Sequence, residues 1–305
     1  MAAFLLPFMK PSRSEFLTVR GLRYHVRHWG RDGARLIVML HGWMDVSASF
    51  QFLVDAFAQD WHVLAPDWRG FGHTDHAPGG YWHADYLADL DAILDHYSPD
   101  QPVNLLGHSL GANVAGIYAG VRPARVARLV DVEGFGMPAT QPDQAPARYA
   151  EWLDALQAPP RLRSYPTLRD VAARLQKNNP RLADARAAFL AAHWAAQGED
   201  GDWHLLADAR HRLPSPTLYR VEEVLACWRA ITAPVLWIEA KGSELVARLD
   251  AGQGARAEID RRIANIRDVT ILMVDDAGHM VHHDQPEILA AAIERFLAER
   301  LPAPR

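Results

Sequence analysis

Hydrophobic and polar positions divide the chain into two kinds of segment. Short continuous apolar runs, such as 36–40 and 103–106, are typical of parallel strands covered on both faces. Longer stretches between them, such as 83–97, carry apolar residues at helical spacing. Strand and helix therefore alternate, which predicts an α/β fold with a doubly wound, mostly parallel sheet and right-handed crossovers.

The predicted sheet has eight strands. The first two form an antiparallel hairpin around Gly21, and six further strands follow. The predicted strands are 15–20, 22–28, 35–40, 61–66, 103–106, 126–132, 235–238 and 269–274. The predicted helices of this part are 47–58, 83–97, 112–121, 221–231 and 286–299.

The alternation stops after Gly134. The stretch that follows contains only helical patterns, so it cannot continue a parallel sheet. We therefore predict an inserted helical cap. The predicted domains are a core of residues 1–134 and 216–305 and a cap (lid) of residues 135–215, with cap helices at 147–156, 168–176 and 181–194 and an N-terminal arm at 1–10.

Composition excludes several classes of partner. The formal net charge of -5 and the lack of a Lys/Arg cluster argue against nucleic acid. No apolar run reaches the length of a membrane span. Cys227 is the single cysteine, so an intrachain disulfide cannot form. These features favour a cytoplasmic protein, and the oligomeric state stays open.

Candidate chemistry centres on Ser109. The run 103–106 leads into Gly107-His108-Ser109-Leu110-Gly111, and small helix-compatible residues follow. This is the G-x-S-x-G pattern of a nucleophile elbow, in which a serine sits on a sharp turn between strand and helix. The flanking glycines avoid collisions with the neighbouring strand and helix. We therefore predict that Ser109 is a nucleophile.

A serine hydroxyl needs a base to take its proton, and His279 is the candidate. It directly follows the final predicted strand, where a loop can reach the ends of adjacent parallel strands. The backbone N–H groups of Leu110 and Trp43 are the predicted oxyanion hole, because they follow the nucleophile and the third strand. The predicted substrate pocket contains His41, Trp43, His108, Phe135 and Met280, although His41 is better suited to bracing its loop.

Four segments together resemble the α/β-hydrolase superfamily, in the branch of epoxide hydrolases, haloalkane dehalogenases and related serine esterases. They are residues 41–43 (HGW), 67–74 (DWRGFGHT), 107–111 (GHSLG) and 278–279 (GH). The resemblance implies an α/β-hydrolase fold with a cap. Epoxide hydrolases and dehalogenases of this branch use an aspartate nucleophile, whereas this chain has Ser109. Acyl transfer is therefore favoured over either activity.

The acid that orients the histidine has two candidates. Relatives place it after either of two strands. Glu244 lies close to the usual position of the aspartate after the run 235–238, although Ser243 stands where that aspartate is expected. Glu133, after the run 126–132, resembles the acid of some haloalkane dehalogenases. We favour Glu244 and keep Glu133 as the alternative.

No cofactor or metal is predicted. The segment 71–76 resembles a metallo-hydrolase pattern but has Phe71 in place of the first histidine. His279, His282 and His283 form a second cluster without the four closed ligands and supporting partners of a structural site. Gly70, Gly72, Gly79 and Gly80 do not form a dinucleotide-binding pattern.

The residues therefore predict a cofactor-independent serine hydrolase that acts on small to medium carboxylic esters with an apolar group. A Ser-His-Glu triad and an acyl-serine intermediate are its expected machinery. The same triad would serve a C–C bond hydrolase, a lactonase or a perhydrolase. A non-catalytic ligand-binding protein of the same fold is the alternative outside the enzymes.

Overall fold

The computed structural model describes residues 9–246 and 254–298. Its main sheet has the strand order β1-β2-β4-β3-β5-β6-β10-β11. These strands are β1 (Ser12–Val19), β2 (Leu22–Trp29), β3 (Arg35–Leu40), β4 (Trp61–Pro66), β5 (Val103–His108), β6 (Val126–Val132), β10 (Val235–Ala240) and β11 (Val269–Val274). The pairs β1–β2 and β2–β4 are antiparallel, and the other neighbours are parallel. The predicted eight-stranded, mostly parallel sheet is confirmed.

Helices cover both faces of this sheet. Leu105 and Leu106 are successive residues of β5 and pack into two different apolar clusters, because successive strand side chains point to opposite faces. The first cluster includes residues of α2 (His83–Tyr97), α3 (Leu110–Val121), α7 (Val221–Arg229) and α8 (Ala255–Ile263). The second includes residues of α1 (Gln51–Ala56) and α10 (Pro286–Ala298), and the short helix α9 (Val281–Asp284) precedes α10.

Residues 135–215 contribute no strand to the main sheet. They contain α4 (Ala145–Gln157), α5 (Leu168–Asn178) and α6 (Asp184–Trp194), together with β7 (Ser164–Tyr165), β8 (Ala195–Gln197) and β9 (Trp203–Leu205) in a small sheet of order β7-β9-β8. The prediction of helices alone is therefore wrong in this respect. Strands of two or three residues are too short to show an alternating pattern. The exact domain boundaries stay a prediction.

Five predicted elements have the observed bounds, namely the strands 35–40, 61–66, 126–132 and 269–274 and the helix 83–97, and the others differ by a few residues at one or both ends. The segment predicted as a helix at 47–58 begins as a 3₁₀ helix, Ser47–Phe50, before α1. The helix predicted from residue 181 begins at Asp184, because the backbone N–H of Arg181 is bound to the Asn179 side chain in a turn. Residues 1–8 of the predicted arm and residue 299 of the last helix lie outside the described residues.

None of the helices in 9–246 and 254–298 has both the length and the apolar character that crossing a membrane requires.

Candidate active site

Ser109 lies at the junction of β5 and α3. Its φ of 52° and ψ of -113° are unusual for a residue with a side chain, and such strain persists only where the surroundings hold it. The Ser109 N–H donates to the Val132 carbonyl at 2.9 Å, and the Ser109 carbonyl accepts from the Asn113 N–H at 3.0 Å. The turn therefore presents a half-buried serine at the start of a helix.

The two glycines of the motif allow close backbone contacts. A Cβ added at Gly107 would lie 2.4 Å from Ala112 Cα, and one added at Gly111 would lie 2.0 Å from the Leu40 carbonyl oxygen. Both distances are well inside van der Waals contact, so neither position accommodates a side chain without movement of backbone atoms. The requirement for glycine at positions 107 and 111 therefore has a structural basis.

A Gly111→Ala variant should be destabilised. Alanine usually favours a helix over glycine, but here the clash with the Leu40 carbonyl outweighs that preference. We expect the free energy of unfolding to fall by about 1–3 kcal/mol, as for other overpacked sites. Urea denaturation measures this change. Gly79→Ala is the control, since a Cβ there meets no atom within 4 Å; equal stability of the two variants would contradict the argument.

His279 faces a carboxylate from another strand end. Its Nδ1 lies 3.1 Å from Oε2 of Glu133, and the Glu133 side chain is fully buried. Glu133 directly follows β6, whereas His279 follows β11. The parallel strands thus end on the same side of the sheet and bring together residues 146 positions apart.

Further contacts hold the Glu133 carboxylate in place. Oε1 accepts the backbone N–H of Ala240 at 2.7 Å, and Oε2 accepts the hydroxyl of Ser243. Glu244 is exposed on the turn after β10. The geometry therefore favours Glu133, the alternative in the sequence analysis, as the partner of His279. Ser243, at the position where an aspartate was expected, supports that carboxylate with a hydrogen bond.

The loop after β3 lies against the elbow. A Cβ added at Gly42 would be 3.4 Å from Ser109 Cβ, so the loop passes directly beside the nucleophile candidate. Leu110 begins α3, where a backbone N–H has no partner within the helix. The geometry therefore places Gly42, the residue before Trp43, beside the nucleophile candidate at the start of α3. The oxyanion hole formed by the N–H groups of Trp43 and Leu110 stays a prediction.

His41 anchors the loop after β3 through hydrogen bonds. Its Nε2 accepts the backbone N–H of Trp68 at 2.9 Å, so its Nδ1 donates to the Gly42 carbonyl at 2.8 Å. The Trp68 indole N–H donates to the His41 carbonyl at 3.0 Å. His41 is fully buried, and burial lowers its pKa to about 4. It is therefore a neutral brace, in accordance with the sequence argument.

The five predicted pocket residues differ in exposure. His41, His108 and Phe135 are buried, Met280 is half-buried, and Trp43 is exposed. Trp43 and Met280 are therefore the two that solvent reaches in this conformation, whereas the other three side chains are packed inside the protein. His108 is the link between two loops, since its Nε2 donates to the His279 carbonyl at 2.8 Å.

The loop that carries His279 is also attached to the cap. Asp284 accepts the backbone N–H of Gly278 at 2.8 Å through Oδ2 and the side-chain amide of Asn179 at 2.7 Å through Oδ1. Asn179 immediately follows α5. Sequence reasoning missed this bridge, because a single carboxylate in a histidine loop carries no signal of the residue it meets.

Buried neutral histidines should make stability depend on pH. Burial lowers the pKa of His41 to about 4 and that of His211 to about 3, whereas an unfolded histidine titrates near 6.5. Stability is therefore complete above about pH 6.5 and falls as pH drops toward 4, where the unfolded chain binds protons that the folded chain rejects. His41 alone corresponds to about 3 kcal/mol. Urea unfolding at several pH values measures the slope.

His211→Gln provides the matched test of this pH dependence. The imidazole stacks between Phe71 and Tyr81, and its Nε2 donates to the Arg69 carbonyl, a bond that glutamine can also make. The variant should lose part of the slope below pH 6.5. His96→Gln, at a half-exposed side chain, should keep it. An unchanged slope in His211→Gln would refute this origin of the effect.

Two groups of side chains in the described part of the chain bring three possible metal ligands together. One contains His28, Asp32 and His62, and the other contains Asp45, His108 and His282. In the first group Asp32 is exposed, and His28 Nδ1 and His62 Nε2 lie 3.2 Å apart. All three members of the second group are buried.

Comparison with known proteins gives consistent matches. A family model described as the alpha/beta hydrolase fold matches residues 35–286. The chain is 28% identical over 283 residues to a serine hydrolase-like protein of Danio rerio, covering 90% of this chain and 85% of the relative. It is 27% identical over 264 residues to 2-(acetamidomethylene)succinate hydrolase of Mesorhizobium japonicum, with 86% and 87% covered. A solved thioesterase domain from the curacin biosynthetic pathway superposes with a TM-score of 0.82 at 23% identity, covering 93% of this chain and 99% of that one.

Proposed function

Since this chain belongs to the alpha/beta hydrolase fold family, we propose that it is a serine hydrolase that cleaves carboxylic esters through an acyl-serine intermediate. The observation that carries the proposal is the contact between His279 Nδ1 and Glu133 Oε2 at 3.1 Å. A buried carboxylate on one ring nitrogen leaves the other nitrogen to act as the base for a serine on a strained turn. Ser109, His279 and Glu133 are the proposed triad.

The proposed reaction has two steps. Ser109 Oγ attacks the ester carbonyl carbon while His279 Nε2 takes the hydroxyl proton, and the alkoxy group then leaves with that proton. Water next attacks the acyl-serine carbonyl, again with His279 as the base, and the carboxylic acid is released with Ser109 restored. Glu133 stabilises the imidazolium, and the N–H groups of Leu110 and Trp43 stabilise the oxyanion.

An apolar acyl or alkyl group is the proposed recognition element. Trp43 and Met137 are exposed apolar side chains on the loops after β3 and β6, which flank the elbow. In the cap, α4 exposes Tyr149 and Leu153. Apolar surface near a site favours an apolar ligand group.

A cytoplasmic location stays a prediction from the sequence.

Hydrolysis of p-nitrophenyl esters of increasing chain length tests the proposal. We expect a burst of p-nitrophenol of about one equivalent per chain before steady turnover, because acylation releases the phenol ahead of hydrolysis. Esters should be compared with lactones, with vinylogous diketones and with peroxide as acceptor. Turnover of lactones alone would indicate a lactonase, and turnover of vinylogous diketones alone would indicate a C–C hydrolase. Turnover only with peroxide as the acceptor would indicate a perhydrolase. Tight ligand binding without turnover of any of them would indicate a non-catalytic binding protein.

A further inference from the structure

A buried cluster of three potential ligands lies beside the elbow. Asp45 lies in the loop after β3, His108 ends β5, and His282 lies in α9. One ligand atom from each residue lies within 4.8 Å of the other two. The side chains are 3%, 2% and 1% exposed, respectively, so all three are withdrawn from solvent. We call these residues the Asp45–His108–His282 cluster.

The cluster contains polar atoms that the described structure leaves without a hydrogen-bond partner. They are Asp45 Oδ2, His108 Nδ1 and His282 Nδ1. The indole N–H of Trp194, which is likewise unpaired, faces the Asp45 carboxyl. Buried polar atoms are normally paired, so the two imidazole nitrogens each call for a ligand or another partner. The other oxygen of Asp45 is engaged, since Oδ1 accepts the backbone N–H of Val46 at 2.8 Å.

The contacts of His108 determine which of its nitrogens carries the proton. Nε2 lies 2.8 Å from the His279 carbonyl, which can only accept, so Nε2 carries the hydrogen and Nδ1 presents a lone pair to the cluster. A histidine that binds a metal commonly donates its other N–H to a backbone carbonyl in this way. The orientation of His108 therefore suits ligation.

His282 is compatible with the same role. Its Nε2 lies 3.9 Å from Asp45 Oδ2 and 3.1 Å from Ser49 Oγ. Ser49 Oγ also lies 2.6 Å from His283 Nε2 and has only one hydrogen to donate. Nε2 is therefore the His282 nitrogen that faces Asp45, and it presents a lone pair there in the tautomer that carries the hydrogen on Nδ1.

The charge of the cluster also favours a cation. The groups that face the Asp45 carboxyl are neutral, namely the Ser49 hydroxyl and the Trp194 indole N–H, and Asp67 acts on it with a charge of the same sign. One carboxylate and two imidazoles are a common ligand set for zinc and neighbouring divalent metals.

We propose that Asp45, His108 and His282 form a binding site for a divalent transition-metal ion of the zinc type. The ion would receive one ligand atom from each side chain and keep a further position for a water or a hydroxyl oxygen. This inference is independent of the proposed esterase activity. The sequence predicted no metal site, and its candidate cluster combined His282 with His279 and His283. The proposed site instead combines His282 with Asp45 and His108.

Metal titration of the full-length protein tests the site. After dialysis against a chelator, Zn²⁺ binding is measured by calorimetry, and bound metal is counted by elemental analysis. We expect one tight ion per chain, with affinity about 100-fold or more weaker in Asp45→Asn and in His282→Gln. His62→Gln is the matched control from the partly exposed group and should retain the tight ion.

The spectrum of bound Co²⁺ gives a measurement that needs no variant. Nitrogen and oxygen ligands should produce visible ligand-field bands without a thiolate charge-transfer band, which would instead identify Cys227 as a ligand. Circular dichroism verifies that the variants are folded. Zn²⁺ binding that is absent from the wild type, unchanged in folded Asp45→Asn or lost in His62→Gln would overturn the proposal. The first of these results would assign the cluster to buried water.

Discussion

Replacing Ser109 by alanine is expected to reduce kcat for an activated ester by about 10⁵-fold and to abolish the burst of product. The hydroxyl forms the acyl bond in the proposed mechanism, and loss of such a nucleophile removes nearly all catalysis that depends on the triad. Because alanine fits the backbone that serine occupies, we expect the fold to persist. Steady-state and rapid-mixing assays with a p-nitrophenyl ester measure both effects.

Labelling by a fluorophosphonate gives a second, substrate-independent measurement. The reagent should form a bond between phosphorus and Ser109 Oγ, with loss of fluoride, and peptide mass mapping should locate it there. Ser98→Ala is the control, because the Ser98 hydroxyl donates to the Gln101 carbonyl on an exposed surface. Undiminished labelling or turnover in Ser109→Ala would rule out the assigned nucleophile.

Exchange of the acid is expected to have the second-largest effect. Glu133→Gln should lower kcat by about 10³- to 10⁴-fold with little change in KM. The neutral amide cannot stabilise the imidazolium, and it favours the wrong tautomer of the ring. The variant keeps the size of the side chain at a fully buried position, so a collapse of packing is not the expected cause.

Glu244→Gln is the matched control for this experiment. It makes the same chemical change at an exposed position after β10, and we expect kcat within about 3-fold of the wild type, as for an ordinary surface change. A third variant, Ser243→Ala, removes the hydroxyl that donates to Glu133 and should give an intermediate loss. A larger effect of Glu244→Gln than of Glu133→Gln would return the assignment to Glu244.

Much of the fold was predictable because it depends on local patterns. The six parallel strands are short, mostly apolar runs, and burial on both faces requires that composition in five of them whatever their neighbours are. The sixth, β11, lies at the edge of the sheet and exposes Ile271 and Met273. The small sheet of β7, β8 and β9 was missed, since its strands have too few residues for periodicity to develop. The same limit applies to helix starts, where one side-chain contact, such as that of Asn179 with the Arg181 N–H, shifts the boundary.

Some features of the candidate site were also predictable from the sequence, and others were not. The glycines around Ser109 were informative because close backbone contacts exclude a side chain at Gly107 and Gly111, a requirement that leaves a mark in the sequence. No comparable feature of the sequence distinguishes Glu133 from Glu244 as the partner of His279. Both follow buried strands of one sheet, and a carboxylate after a strand is chemically suitable at either position.

The sequence alone was sufficient for the strand–helix alternation, the turn at Ser109 and the supply of a histidine after the last strand, because each depends on residues close together in the chain. Its preferred partner for that histidine was Glu244. Tertiary structure was needed to bring Glu133 to 3.1 Å from His279 and to gather Asp45, His108 and His282 in one buried place. Such contacts depend on how strand ends and loops meet in three dimensions, so residue type and spacing along the chain do not encode them in a readable pattern.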